Sequence, residues 1–203
     1  MPLVLIVSKT QMSNGVCVGG INESTCELIR LHNDRGGNLP LDAPYEIGDR
    51  WEMIVETAWN VRRAPHVEDK QTTPIRKIEN IGINGIINFI RSHNFNGRLS
   101  TGALGNTFNN CLKLLGSKNF INSENIPNFS TQFWIADCDL TYREIFGKHY
   151  YMYNDIRLKF VGFQPIIQRI PRGTIIRLSL ANWWNGDGSG EDRCYLQLSG
   201  WYI

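Results

Sequence analysis

His66, Glu68 and Asp69 lie close together in RRAPHVEDKQ, residues 62 to 71. Imidazole and carboxylate are the usual proton carriers and common ligands of divalent cations, so the cluster has the residue types of an acid–base pair or a metal site. Arg62 and Arg63 in the same stretch have the chemistry of a phosphate clamp. Pro65 disfavours helical geometry at Ala64, which predicts a loop or strand end. A charged loop also has a plainer reading, as a solvated or bracing turn. Nothing elsewhere completes a catalytic set: His32, His93 and His149 stand alone, and no Ser or Cys sits in a nucleophile elbow or protease signature. The expectation is that the stretch binds or braces. The alternative is an enzyme acting on a nucleotide or nucleobase, with His66 as acid–base and Glu68 or Asp69 orienting it.

A second group lies in LSLANWWNGDGSGEDRCYLQLSGWY, where Trp183 and Trp184 end one predicted strand and Arg193, Tyr195 and Gln197 begin another. Aromatic faces stack bases, and Arg adds phosphate or cation–π contacts; the plainer reading puts the Trp pair in a core or barrel end. Along the last strand Cys194, Leu196, Leu198 and Gly200 alternate with Arg193, Tyr195, Gln197 and Ser199, giving one apolar and one polar face. Lys9, Arg30, Arg157, Arg172 and Arg177 fall at or near predicted strands. A strand Arg removed from water needs a carboxylate or phosphate partner, so Arg30 and Arg177 are expected either to hold phosphate or to pair internally with Glu52, Glu56 or Glu68.

Several chemistries are expected to be absent. NGDGSGED, residues 185 to 192, carries Asp187, Glu191 and Asp192 but lacks the EF-hand ligand register, so it reads as a hairpin tip and no metal is assigned. Gly19–Gly20 opens no helix and lacks the G-x-G-x-x-G order; without a P-loop either, neither a nucleotide-driven motor nor a cofactor is expected. The five cysteines are odd in number, scattered and without a C-x-x-C pair, which suggests reduced thiols and the cytoplasm. A net charge of +2 argues against histone-like coating of nucleic acid and permits a local basic groove. MPLVLIVSKTQ reads as a buried first strand and not as a signal peptide, and no apolar run is long enough to cross a bilayer.

The elements that must position these residues are mostly strands. Residues 3 to 7, 16 to 21 and 26 to 31 are short apolar or alternating runs with turn residues between them. A Gly/Pro-rich excursion follows, then the alternating WEMIVETAW. Helical spacing in INGIINFIRSHNF (83 to 95) and GNTFNNCLKLLG (105 to 116) predicts two short helices, the second stopped by Gly116. QFWIADCDL, DIRLKFVGF, TIIRLSL and RCYLQLSGWYI return to strands.

VCVGGI, the Arg of ELIRL, the excursion ending in YEIGDRWE, the PHVED turn, and LSLANWW with RCYLQLSGW together resemble a bacterial family described as the dual OB-containing domain. Members commonly have an aromatic followed by Ile-Arg-Pro where this chain has Leu28-Ile29-Arg30-Leu31, so Arg30 agrees and its neighbours differ. The resemblance implies a mainly β fold with a few short helices: two small OB-like β-barrels packed together, in a bacterial intracellular protein. Residues 1–80 are then the first barrel, 81–130 a helical or irregular connection, and 131–203 the second barrel. The expected role is non-catalytic recognition of single-stranded nucleic acid, a modified base or a nucleotide, as an accessory of a bacterial defence or nucleic-acid-processing system. Lys9, Arg30, His66, Glu68, Arg177, Trp183, Trp184, Arg193, Tyr195 and Gln197 are its candidate ligand-binding residues. A scaffold docking a larger protein partner is the other alternative, and no membrane partner is expected.

Overall fold

The computed structural model describes residues 1–57, 63–186, 188 and 190–203. Arg62, Asp187 and the end of the predicted strand at Ala58 and Trp59 lie outside the described residues. The chain divides into two compact units: Met1–Arg62 with Glu68–Gly97 and Tyr202–Ile203, and Arg63–Val67 with Arg98–Trp201.

In the first unit β1 (Leu3–Met12), β2 (Gly15–Asn22), β3 (Glu27–His32), β4 (Asp49–Thr57) and β5 (Asp69–Asn80) close into a barrel in the order β1-β2-β3-β5-β4. Neighbours are antiparallel except β3 and β5, which run parallel. Residues two apart turn to the same side of a strand, so Val4 and Ile6, Val16 and Val18, and Ile29 and Leu31 meet with Met53 in one apolar cluster. Leu5, Val7, Leu28, Arg30 and His32 on the intervening positions are buried as well, which is why β1 and β3 read as nearly continuous apolar runs. A Cβ on Gly20 would stand 2.5 Å from Val4 Cγ1, so glycine there permits the close approach of β2 to β1. The Gly/Pro-rich excursion between β3 and β4 is more than a surface loop: Leu39, Ala43 and Tyr45 pack into the barrel cluster. Helix α1 (Gly82–Ser92) follows β5 and buries Ile86 and Ile90, as its spacing predicts.

The second unit contains β6 (Leu99–Gly102), β7 (Lys113–Leu115), β8 (Lys118–Asn122), β9 (Thr131–Ala136), β10 (Leu140–Ile145), β11 (Lys148–Tyr153), β12 (Ile156–Phe160), β13 (Arg169–Ile170), β14 (Ile175–Leu180) and most of β15 (Arg193–Tyr202). The sheet runs β13-β10-β11-β12-β15-β14-β9-β6, with the β7–β8 hairpin joined through β8 to β15. Its β10-β11-β12-β15-β14 portion repeats the order of the first barrel, and again the third and fifth strands of the set, β12 and β15, are the parallel pair. Trp134, Tyr151, Leu158, Ile176, Leu196 and Trp201 belong to its core.

The helix predicted over 105 to 116 is not formed. Leu104–Asn106 and Phe108–Asn110 are single 3-10 turns, followed by β7. Phe108, Asn109 and Asn110 adopt φ of 49°, 57° and 61°, a left-handed run that stops a helix and that Asn tolerates well. Gly116, at φ 66°, starts the two-residue turn between β7 and β8.

Asp49 fixes the start of β4. Its carboxylate is fully buried and accepts from Lys77 Nζ (2.6 Å), Asn80 Nδ2 (2.7 Å), the Glu46 amide (3.0 Å) and Trp51 Nε1 (3.3 Å). Burial opposes the charge, but these donors prevail and hold the carboxyl below its ordinary range. A folded-state pKa below the unfolded one gives stabilisation that is full above the unfolded value of about 3.9 and is lost as pH falls through the folded value. Asp49→Asn is expected to lower stability at neutral pH by about 1–3 kcal/mol and to flatten the acid limb. Urea unfolding at a series of pH values down to about 2 measures both.

Candidate functional site

The parallel register sets Arg30 opposite Asp69 and His32 opposite Gln71, while Gly19 of β2 lies opposite Arg30. These side chains share the sheet face turned away from Ile29 and Leu31, which belong to the barrel cluster. Arg30 Nε lies 2.6 Å from Asp69 Oδ1, and His32 Nε2 lies 3.3 Å from the same oxygen. His32 Nδ1 is 3.2 Å from the Gly37 carbonyl oxygen, and the Arg30 amide donates to Glu68 O at 2.8 Å. Burial works to lower the Arg30 pKa, but nearby Cys17, Asp69 and Glu68 outweigh it and raise the guanidinium above its ordinary value. Arg30 therefore stays charged inside an ion pair. Its side-chain partner is Asp69 and not the expected Glu52, Glu56 or Glu68, because the β3–β5 pairing that selects Asp69 is long-range. Glu52 instead pairs with Arg76 at 2.7 Å. Lys9 Nζ donates to the Ala43 carbonyl at 2.7 Å and so anchors the excursion.

Arg63–Val67 is part of the second unit. Arg63 Nη1 pairs with Asp192 Oδ2 at 2.7 Å, and its guanidinium lies 4.1 Å from the centre of the Trp183 ring. Trp183 Nε1 in turn donates to Ala64 O at 2.8 Å. His66 is buried, with Nε2 3.6 Å from Cys194 Sγ. Half of RRAPHVEDKQ thus braces this unit, while Glu68 and Asp69 enter the first one. Glu68 and Arg177 are also buried, at 1% and 2% exposure.

The face of β15 around Tyr195 is more open. Pairing with β8 sets Arg193 opposite Asn122 and Tyr195 opposite Phe120; β7 sets Lys113 opposite Phe120, and β12 sets Lys159 opposite Gln197. Paired residues share a face, so Tyr195, Arg193, Gln197, Lys113 and Lys159 form one aromatic and basic surface, with Phe120 and Asn122 buried beneath it. Trp184, 51% exposed, reaches it through a bridge to Arg193 with backbone bonds of 3.0 and 2.9 Å. The Trp184 and Tyr195 rings meet edge to face at 5.9 Å, Tyr195 and Phe120 lie 5.8 Å apart, and the Arg193 guanidinium stands 4.2 Å from the Phe120 ring centre. Carboxylates hold the cations in place: Arg193 Nε donates to Glu191 at 2.9 Å, and Lys113 pairs with Glu124 at 2.7 Å. Glu191 lies below its ordinary pKa because Asn122 and then Arg193 donate to it. Lys113 and Lys159 are exposed, and Arg193, Tyr195 and Gln197 are half-buried.

Sequence reasoning missed Phe120, Lys113 and Lys159. The signal for the first two was Leu115-Gly116-Ser117-Lys118, a Gly-Ser pair between short alternating runs, which is a hairpin signature. Among the described residues no group of three or more His, Cys, Asp or Glu is placed to hold a metal ion, and no helix is long and apolar enough to cross a membrane.

The family described as the dual OB-containing domain matches residues 3–201. No curated protein and no solved structure matches the chain.

Removing one partner of a buried ion pair strands the other. Arg30→Met, which leaves Asp69 at 2% side-chain exposure, is expected to cost about 3–5 kcal/mol of unfolding free energy in urea. Adding Asp69→Asn should recover part of that loss.

Proposed function

Since the chain belongs to the dual OB-containing domain family, we propose that it is a non-catalytic recognition module for single-stranded nucleic acid, a modified base or a nucleotide, serving a defence or nucleic-acid-processing system. The surface of Trp184, Tyr195 and Arg193, packed over the buried Phe120 ring, carries this reading. OB-type barrels bind through a strand face and its loops, combining aromatic stacking with a positive track. Trp184 is the ring that stacks a base, and Arg193, Lys113 and Lys159 supply the track. Trp183 is occupied by Arg63, so it is assigned to bracing. Burial of His66 and Glu68, and the pairing of Asp69 with Arg30, weigh against the enzymatic alternative. Exposed Ile54, Ile75 and Ile78 on β4 and β5 favour a second reading, a surface that docks a protein partner.

Fluorescence polarisation with short DNA and RNA oligonucleotides, at low and moderate salt, tests the proposal. Trp184→Ala should weaken binding by about 1–3 kcal/mol, and Lys159→Ala should reduce the salt slope by about 1. Failure with every oligonucleotide and mononucleotide would overturn it; co-purification of a stoichiometric protein partner would then favour the docking surface.

A further inference from the structure

The excursion between β3 and β4 walls a pocket of about 300 Å³ within the first unit. Pro40, Pro44, Pro74, Leu39 and Tyr45 give it apolar walls. Those walls are held by bonds to the barrel. Lys9 Nζ donates to Ala43 O, and the Val16 amide donates to Leu39 O at 2.9 Å. On the other side Gln71 Nε2 donates to Asp34 O at 3.0 Å, and Asn33 Oδ1 accepts from the Arg35 and Gly37 amides at 3.0 and 2.9 Å. The Tyr45 ring meets Trp51 edge to face at 5.1 Å. A site preorganised in this way loses less freedom on binding. Ligand clefts span roughly 300–1,000 Å³, so this one holds a single ring system and no more.

Polar chemistry narrows the occupant. Among the described residues Asp34 is the only acidic one lining the pocket, and no Lys, Arg or His lines it. The Asn33 side chain is committed to its loop, and Thr72 Oγ1 donates to His32 O at 3.0 Å. A phosphate would find no cation here. A carboxylate accepts two parallel N–H groups well, and of the common bases only guanine presents two adjacent N–H donors on one edge. Adenine and cytosine set a ring acceptor beside their amino group, and uracil flanks its N–H with carbonyls.

We propose that this pocket is a second binding site, separate from the β15 face, that takes a guanine-type base between its proline walls with the N–H edge on the Asp34 carboxylate. Calorimetric titration of the full chain with guanosine, adenosine, cytidine, uridine and guanosine monophosphate tests it. Guanosine should bind about tenfold or more tighter than the other nucleosides, and its monophosphate no tighter than guanosine. Asp34→Asn should weaken guanosine about tenfold, and Thr73→Trp should fill the pocket and abolish binding. Asp34 and Thr73 are exposed, so both substitutions spare the core; if Thr73→Trp fails to fold, Asp34→Asn decides alone. Absence of saturable guanosine binding, wild-type affinity in Asp34→Asn, or tighter binding of the monophosphate would overturn the proposal. Any of these alongside Trp184-dependent oligonucleotide binding would leave the β15 reading standing.

Discussion

The parallel pairing of a third strand with a fifth is the constraint on which both units depend. An antiparallel meander needs only short turns, but its last strand closes the set by entering beside the third, and that pairing comes from far along the chain. In the first barrel it is only three residues long, Arg30–His32 against Asp69–Gln71. A short parallel ladder specifies register weakly by itself. The Arg30–Asp69 pair at its first position, with His32 on the same carboxylate oxygen, adds a demand that a slipped register would not meet. In the second unit the corresponding ladder sets Lys159 against Gln197. The same topological step thus buries charge in one unit and lays polar side chains on an open face in the other.

That open face follows from strand periodicity applied to one sequence. Cys194, Leu196 and Leu198 are buried, while Arg193, Tyr195 and Gln197 on alternate positions stay half-buried. The neighbouring strands contribute Phe120, Lys113 and Lys159 because register, not sequence proximity, decides which side chains share a surface. Glu191 and Glu124 hold Arg193 and Lys113 in defined positions and reduce their net field, which suits selective contacts better than indiscriminate attraction to polyanions.

Local signals were legible in the sequence and long-range ones were not. Strands with dense apolar runs, β1, β2, β3, β14 and β15, stand where their residues predict, as does α1. Strand β5 escaped because Pro74 interrupts it and residues 73 to 80 are exposed and mostly polar, paired with β4. Helical spacing over 105 to 116 misled because Phe108, Cys111 and Leu112 pack from turns and a loop, whose left-handed residues no apolar pattern reveals. The polarity of the β15 face and Trp184 were readable from alternation and composition. The partner of Arg30, and the covering of Trp183 by Arg63, depended on pairings between distant segments.

Assignment of the chain to its two units changes after residues 62, 67, 97 and 201. Neither unit is a contiguous stretch of sequence. A cut after Gly97 would keep the barrel strands together yet deprive the remainder of Arg63, Ala64 and His66, which bind Asp192, Trp183 and Cys194 there. In genetic terms no single crossover exchanges one unit whole and leaves the other intact, so replacing either one by a foreign barrel would need several coordinated crossovers.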